Sequence, residues 1–219
     1  MKTTLLIPTL NEIDSMKVIM PRIKKKWVNE IIIVDGGSTD GTVEYAGKKG
    51  YFVFAPKVKG IVRQLSEAFK ISKGDIIILF SPDGNSIPEI IPSLVKKMEE
   101  GHDMVIVSRY TGGAKSYDDD FFTRIGNFFF TKAVNLFFHS KYTDALVIFR
   151  AFKKDILKKI RINMNGDIDL QLSIKCAKKR LKVAEIPGDE PKRIGGERKI
   201  SVVKTGFGLL TALIKEIFS

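Results

Sequence analysis

The sequence predicts an α/β protein: a mostly parallel sheet flanked by helices, with amphipathic helices in its second half. Three observations lead there. Short runs such as Glu30–Asp35 (EIIIVD), Asp75–Ser81 (DIIILFS) and Met104–Ser108 (MVIVS) are apolar almost throughout, as strands covered on both faces must be. Helical stretches separate them, the signature of crossover connections. The residues just after several of these runs are polar and turn-forming, at the carboxyl ends where such sheets bind ligands.

Taken in order, Thr3–Ile7 reads as a strand and Asp14–Lys26 as a helix. Glu30–Asp35 is a buried strand, with the next helix opening near Ser38 and Thr39, both good caps. Tyr51–Ala55 is a third strand, followed by a helix over 61–72. Asp75–Ser81 is the fourth, and Pro88 starts a helix that ends near Gly101. Met104–Ser108 is the fifth strand. Beyond Tyr110 the pattern changes. Thr111–Asp120 is a polar loop, and Phe121–Phe138 an aromatic-rich helix that Gly126 could split. Ala145–Phe149 and Leu181–Ile186 read as strands, with helices near 153–159 and 169–180 between them. A basic, glycine-broken loop, Lys192–Lys199 (KRIGGERK), precedes a last apolar segment over Val202–Phe218.

The composition of the 219 residues is that of a globular chain long enough to bury a core without disulfides or metal. A lone Cys176 suits a reducing compartment. The start of the chain lacks the apolar run of a signal peptide, and no stretch reaches the ~20 apolar residues of a membrane span. A cytoplasmic protein is expected. The net charge of +12 favours anionic partners but is equally compatible with a lysine-rich, solvated surface.

The strand ends carry the chemistry. The first gives Pro8-Thr9-Leu10-Asn11-Glu12, the second Asp35-Gly36-Gly37-Ser38-Thr39-Asp40-Gly41-Thr42, the fourth Ser81-Pro82-Asp83-Gly84-Asn85. Carboxylates and amides at such a rim can accept hydrogen bonds from a base or ribose, and hold a divalent cation against a pyrophosphate. Each motif alone also reads as a simple turn. Three of them in one sheet point to a nucleotide site.

In order, PTLNE, IIIVDGGSTDGT, GDIIILFSPDGN, VSRY and RIGGERK resemble the family 2 glycosyltransferases, nearest the dolichol-phosphate mannose synthases and related polyprenyl-phosphate enzymes. The likeness spans roughly residues 3 to 199. It implies a GT-A fold, a nucleotide-sugar donor linked to GDP or UDP, and Mg²⁺ or Mn²⁺. It divides the chain into one GT-A domain over 1–199, with a donor half (1–110) and an acceptor half (111–199) carrying the amphipathic segment 121–138. A C-terminal amphipathic helix (200–219) follows. Matched position by position, Pro8, Glu12 and Asp35 would contact base and ribose. Asp83 falls on the last acid of the Asp-x-Asp metal motif and Asn85 on a following ligand position. Arg109 would face the phosphates, and Arg193 and Lys199 would close over them; Asp83, Arg193 and Lys199 are the expected catalytic set. Two departures stand out. Ser81 replaces the first acid of the metal motif, and Gly36 the second acid of the usual Val-Asp-Asp. Metal binding would then lean on Asp83 and on the donor's own pyrophosphate.

The expected reaction moves a hexose from the nucleotide sugar to a polyprenyl or dolichyl phosphate. A phosphate acceptor needs no base, and no QxxRW motif or Glu-Asp pair occurs in the second half. Asp144, Asp169 and the run Asp118–Asp120 remain candidate bases, each also readable as a loop or cap residue. The segment 121–138 is either a helix packed on the sheet or an interfacial helix whose aromatic face enters a membrane surface. Peripheral membrane contact is expected. A hydroxyl-acceptor glycosyltransferase is the first alternative. A non-catalytic nucleic-acid binder is the second, and acids on the ligand rim disfavour it, so no nucleic-acid partner is expected.

Overall fold

A computed structural model describes residues 1–194 and 202–218. The strands are β1 (Thr3–Thr9), β2 (Glu30–Asp35), β3 (Phe52–Phe54), β4 (Ile76–Leu79), β5 (Met104–Ser108), β6 (Arg150–Lys153) and β7 (Val183–Pro187). The principal helices are α1 (Ile13–Ile19), α2 (Thr42–Lys48), α3 (Ile61–Ile71), α4 (Ile91–Glu99), α5 (Phe121–Phe138), α6 (Ile156–Lys159), α7 (Ile168–Lys178) and α8 (Val202–Ile217). One sheet has the order β3-β2-β1-β4-β6-β5-β7. Every pairing in it is parallel except those of β6, which runs antiparallel to β4 and β5. This is the mostly parallel α/β sheet that the apolar runs predicted.

Alternation along the strands feeds two cores. Leu6, Ile32, Val34, Ile77, Leu79, Met104 and Ile106 face one side, where α3, α5, α7 and α8 contribute Leu65, Val134, Leu172 and Leu213. Leu5, Ile7, Ile33, Ile76, Ile78, Val105 and Val107 face the other, against Met16, Ile19, Leu94 and Met98 of α1 and α4. Each fully buried Ile or Leu contributes roughly 1.5–3 kcal/mol, so the sheet centre is where the fold is held.

Several elements depart from their sequence assignments. The helix expected over 14–26 ends at Ile19 and continues as two short 3₁₀ turns, because Pro21 has no N–H to donate. The helix expected from Ser38 begins at Thr42; Gly37 and Gly41 hold φ of +101° and +95°, which a helix excludes. Gly126 does not split α5, which runs unbroken for 18 residues, about 27 Å. The strand assigned to 145–149 lies instead at Arg150–Lys153. There Arg150 is fully buried, its guanidinium donating to the carbonyls of Ala145, Val147 and Asp169 and to Ser173 Oγ. No helix among the described residues is long and apolar enough to cross a membrane. α5 and α8 pack on each other, yet leave Phe121, Phe122, Phe129 and Leu136 of α5, and Phe207 of α8, largely exposed: 71%, 74%, 66%, 71% and 70%.

Candidate active site

At the carboxyl ends of β1, β2, β4 and β5 lies a cavity of about 720 Å³, large enough for a nucleotide-sized ligand. It is lined by Pro8, Glu12, Asp83, Asn85, Arg109 and Arg193 among the residues singled out by sequence, together with Gly36, Ser81, Asp167 and Asp169. A second cavity, about 790 Å³, opens at the opposite, amino ends of the strands among Lys70, Lys73, Lys153, Lys154 and Lys158, and holds none of the predicted residues.

Pro8 sits near the end of β1 beside Val34, placing the two strand ends side by side. Asp35 does not line the cavity. Only 3% exposed, its carboxylate accepts Gly37 N (2.8 Å), Ser38 N (2.9 Å), Ser38 Oγ (2.5 Å) and Thr9 Oγ1 (3.1 Å), so it shapes the turn that follows it. Asp40 fastens the same turn to the first strand end, accepting Ile13 N at 3.0 Å and Thr42 N at 3.0 Å. Glu12 accepts from Ser15 Oγ at 3.0 Å. Gly36 N donates to Thr9 O at 2.8 Å, and a Cβ there would lie 3.2 Å from that oxygen, so the replaced acid would press on the β1 backbone.

Asp83 is 7% exposed. One oxygen accepts Asn85 N at 3.1 Å; the other pairs with Arg193 Nη1 at 3.3 Å. Its carbonyl accepts Ile194 N at 2.8 Å, which carries the chain of 193–194 across the turn. Gly84 makes that crossing possible: its φ is +96°, and a Cβ would meet Ile194 at 2.7 Å. Asn85 Nδ2 donates to Asp118 at 3.0 Å, while its buried Oδ1 has no hydrogen-bond partner among the described residues. Asp118 in turn accepts Arg193 N at 3.2 Å and lies 3.9 Å from its guanidinium. Lys199 falls outside the described residues.

Arg109 lines the cavity, yet it is 8% exposed and clasped by acids. Nε and Nη2 donate to Asp144 at 2.7 and 3.0 Å, and Nη1 to Asp119 at 3.1 Å and Glu190 at 3.2 Å. Burial disfavours the charge, but Asp144, Glu190 and Asp119 outweigh it and hold the pKa well above the ordinary value. Tyr110 Oη also donates to Asp119, at 2.5 Å, and Ser116 Oγ to Glu190. The same guanidinium thus anchors a buried ion cluster that ties β5 to the loops at 116–119 and 190.

The candidate bases separate in the same way. Asp144 is fully buried on Arg109, and Asp120 caps α5 by accepting Thr123 N at 2.7 Å. Asp167 caps α7, accepting Leu170 N at 2.8 Å. Asp169 is different. It faces the cavity with a side chain 13% exposed, and its Oδ1 has no hydrogen-bond partner among the described residues. Burial raises its pKa to about 7, against the opposing pull of Arg150 at 3.8 Å. In the sequence it looked like another acid at a helix start; the pairing of Asp167 and Asp169 before an apolar helix was the only available signal. Among the described residues, no three His, Cys, Asp or Glu side chains are grouped to hold a metal. The donors near Asp83 are all hard oxygens, and with the orphaned Asn85 Oδ1 they fit a divalent cation that takes its remaining ligands from phosphate and water.

A mostly parallel sheet whose strand ends gather acids, amides and an arginine over a nucleotide-sized cavity defines the fold class, GT-A. The model of glycosyl transferase family 2 matches residues 4–161, and the chain belongs to that family. It is 27% identical to a dolichol-phosphate mannosyltransferase of Pyrococcus furiosus over 91% of its length, and spans 59% of that relative. It is 32% identical to an uncharacterized protein of Methanocaldococcus jannaschii, covering 96% of this chain and 90% of that one. In three dimensions it resembles glucosyl-3-phosphoglycerate synthase from Mycobacterium tuberculosis, solved with Mn²⁺, UDP and phosphoglyceric acid: TM-score 0.78, 19% identity, 99% of this chain and 78% of that one. At that identity the likeness bears on the fold.

Proposed function

We propose that this chain transfers a hexose from a GDP- or UDP-linked sugar to a polyprenyl or dolichyl phosphate at a membrane surface. The observation that carries the donor half is the convergence of Pro8, Glu12, Asp83, Asn85 and Arg193 on one cavity at the strand ends. The name of the P. furiosus relative and the exposed aromatic face of α5 support the acceptor half. That face would rest in the headgroup region, with the chain peripheral to the cytoplasmic side of the bilayer.

The residues divide the work. Pro8 and Glu12 bound the space for base and ribose, and Asp35 keeps the adjacent turn in shape. Asp83 and Asn85 would hold Mg²⁺ or Mn²⁺, which when bound neutralises charge on the departing diphosphate. Arg193, paired with Asp83 at 3.3 Å, would stabilise the same developing charge, and Lys199 belongs to the same basic stretch of sequence.

Asp169 favours a second reading. A carboxyl that titrates near pH 7 in the cavity is poised to take a proton, which a hydroxyl acceptor requires and a phosphate acceptor does not. The test is a panel of UDP- and GDP-sugars with Mn²⁺ and either a lipid extract or soluble sugar acceptors, following radiolabel into the organic phase and into the soluble products. Label from one donor entering the lipid phase, with Asp169→Asn retaining most turnover, supports the lipid-phosphate reading. Transfer only to soluble acceptors, with Asp169→Asn losing about 10²–10⁴-fold, supports the hydroxyl reading. No transfer from any donor would sink both.

A further inference from the structure

We infer that Asp118, on the loop after β5, supplies the second carboxylate of the divalent-cation site, and that Arg193 holds the cation's place until it arrives. The inference rests on the proposed metal-assisted transfer and adds a residue to it. The turn after β4, Ser81-Pro82-Asp83-Gly84-Asn85, carries Asp83 as its one carboxylate. The fold brings another from 35 residues further along the chain: Asn85 bridges the two acids, its N–H donating to Asp83 (3.1 Å) and its Nδ2 to Asp118 (3.0 Å). Both acids converge on one guanidinium, Arg193 Nη1 lying 3.3 Å from Asp83 and Nη2 3.9 Å from Asp118. A single positive charge therefore sits between two carboxylates, and the amide that donates to Asp118 carries a buried oxygen, Asn85 Oδ1, with no hydrogen-bond partner among the described residues. Two charges from a divalent cation would balance the acids that one arginine leaves at −1, and Asn85 Oδ1 would gain a partner. Arg193, displaced, would be released toward the diphosphate.

The test is Mn²⁺ binding, read from the free-ion electron paramagnetic resonance signal, with and without UDP or GDP. The variants are Asp83→Asn, Asp118→Asn and Arg193→Gln, each with a melting curve. With nucleotide present, Asp118→Asn should weaken Mn²⁺ binding by at least the roughly 10–100-fold that loss of an outer-shell partner costs a metal site. Its melting temperature should stay near that of the unaltered chain. Arg193→Gln, without nucleotide, should bind Mn²⁺ more tightly than the unaltered chain. If Asp83→Asn loses Mn²⁺ while Asp118→Asn titrates like the unaltered chain, the inference about Asp118 is overturned and the metal placement stands. If both variants keep full affinity, the metal placement itself falls. Should Asp118→Asn fail to fold, Arg193→Gln decides: unchanged Mn²⁺ affinity overturns the exchange.

Discussion

The two halves of the molecule manage their acids by different means. In the donor half, carboxylates at strand ends bind backbone N–H groups a few residues away: Asp35 takes those of Gly37 and Ser38, Asp83 that of Asn85, Asp40 that of Thr42. In the acceptor half, acids are gathered by buried arginines across long stretches of chain. Arg109, reaching over from the end of β5 in the donor half, joins Asp119, Asp144 and Glu190, and Arg150 lies beside Asp169. Local turns make a preformed rim whose acids can be exchanged without loosening the sheet. Long-range ion clusters make loops that stand or fall together. Activity and stability should therefore separate in the first half and coincide in the second.

Asp83→Ala is the strongest test of that separation. It should abolish metal-dependent donor binding while leaving the melting temperature almost unchanged; calorimetric titration with UDP- or GDP-sugar and Mn²⁺ reads the first. Binding at full strength would remove Asp83 from the site. Arg109→Met should do the reverse and destabilise the fold by about 3–5 kcal/mol in urea denaturation, since Asp144 would be left buried without its cation. A loss below ~1 kcal/mol would mean that the cluster is not what joins the loops.

Next comes a pH effect centred on Asp169. Its pKa is raised in the folded chain to about 7, so the folded state binds a proton that the unfolded state has released. The sign follows from linkage: stability attributable to this group is complete below the unfolded pKa near 4 and is lost as pH rises through about 7. Compared with Asp169→Asn, the unaltered chain should lose on the order of a few kcal/mol between those limits. Melting curves from pH 4 to 8 showing parallel trends for the two chains would argue against a buried Asp169. The smallest effect is at the start of α5. Asp120→Ala should cost about 0.5–2 kcal/mol by leaving Thr123 N without its cap. Protection of the first turn of α5 in hydrogen exchange would show it directly.

Much of the donor half could be read in advance. The strands at 30–35, 76–79 and 104–108 announced themselves as continuous apolar runs, and Asp83 and Asn85 stood in a turn whose Gly84 is required by its positive φ. The start of α2 was misplaced because Ser38 and Thr39 look like caps, whereas Asp35 and two glycines commit them to a turn. β6 was shifted because its first residue is a fully buried arginine, a side chain that sequence patterning assigns to the surface. The ion cluster of Arg109 was not legible for the converse reason: its acids come from residues 119, 144 and 190, far apart in sequence.

Sequence alone determined the alternation of strands and helices, the polar strand ends and the family they point to, because hydrophobic period and turn chemistry are local properties of the chain. The tertiary structure alone decided which charges meet. It sent Arg109 inward, set Asp169 in the cavity and brought Asp118 to the guanidinium beside Asp83. The physical reason is that an ion pair is specified by proximity in space. A carboxylate's neighbours, and with them its pKa and its possible ligands, exist only once the loops have folded over the sheet.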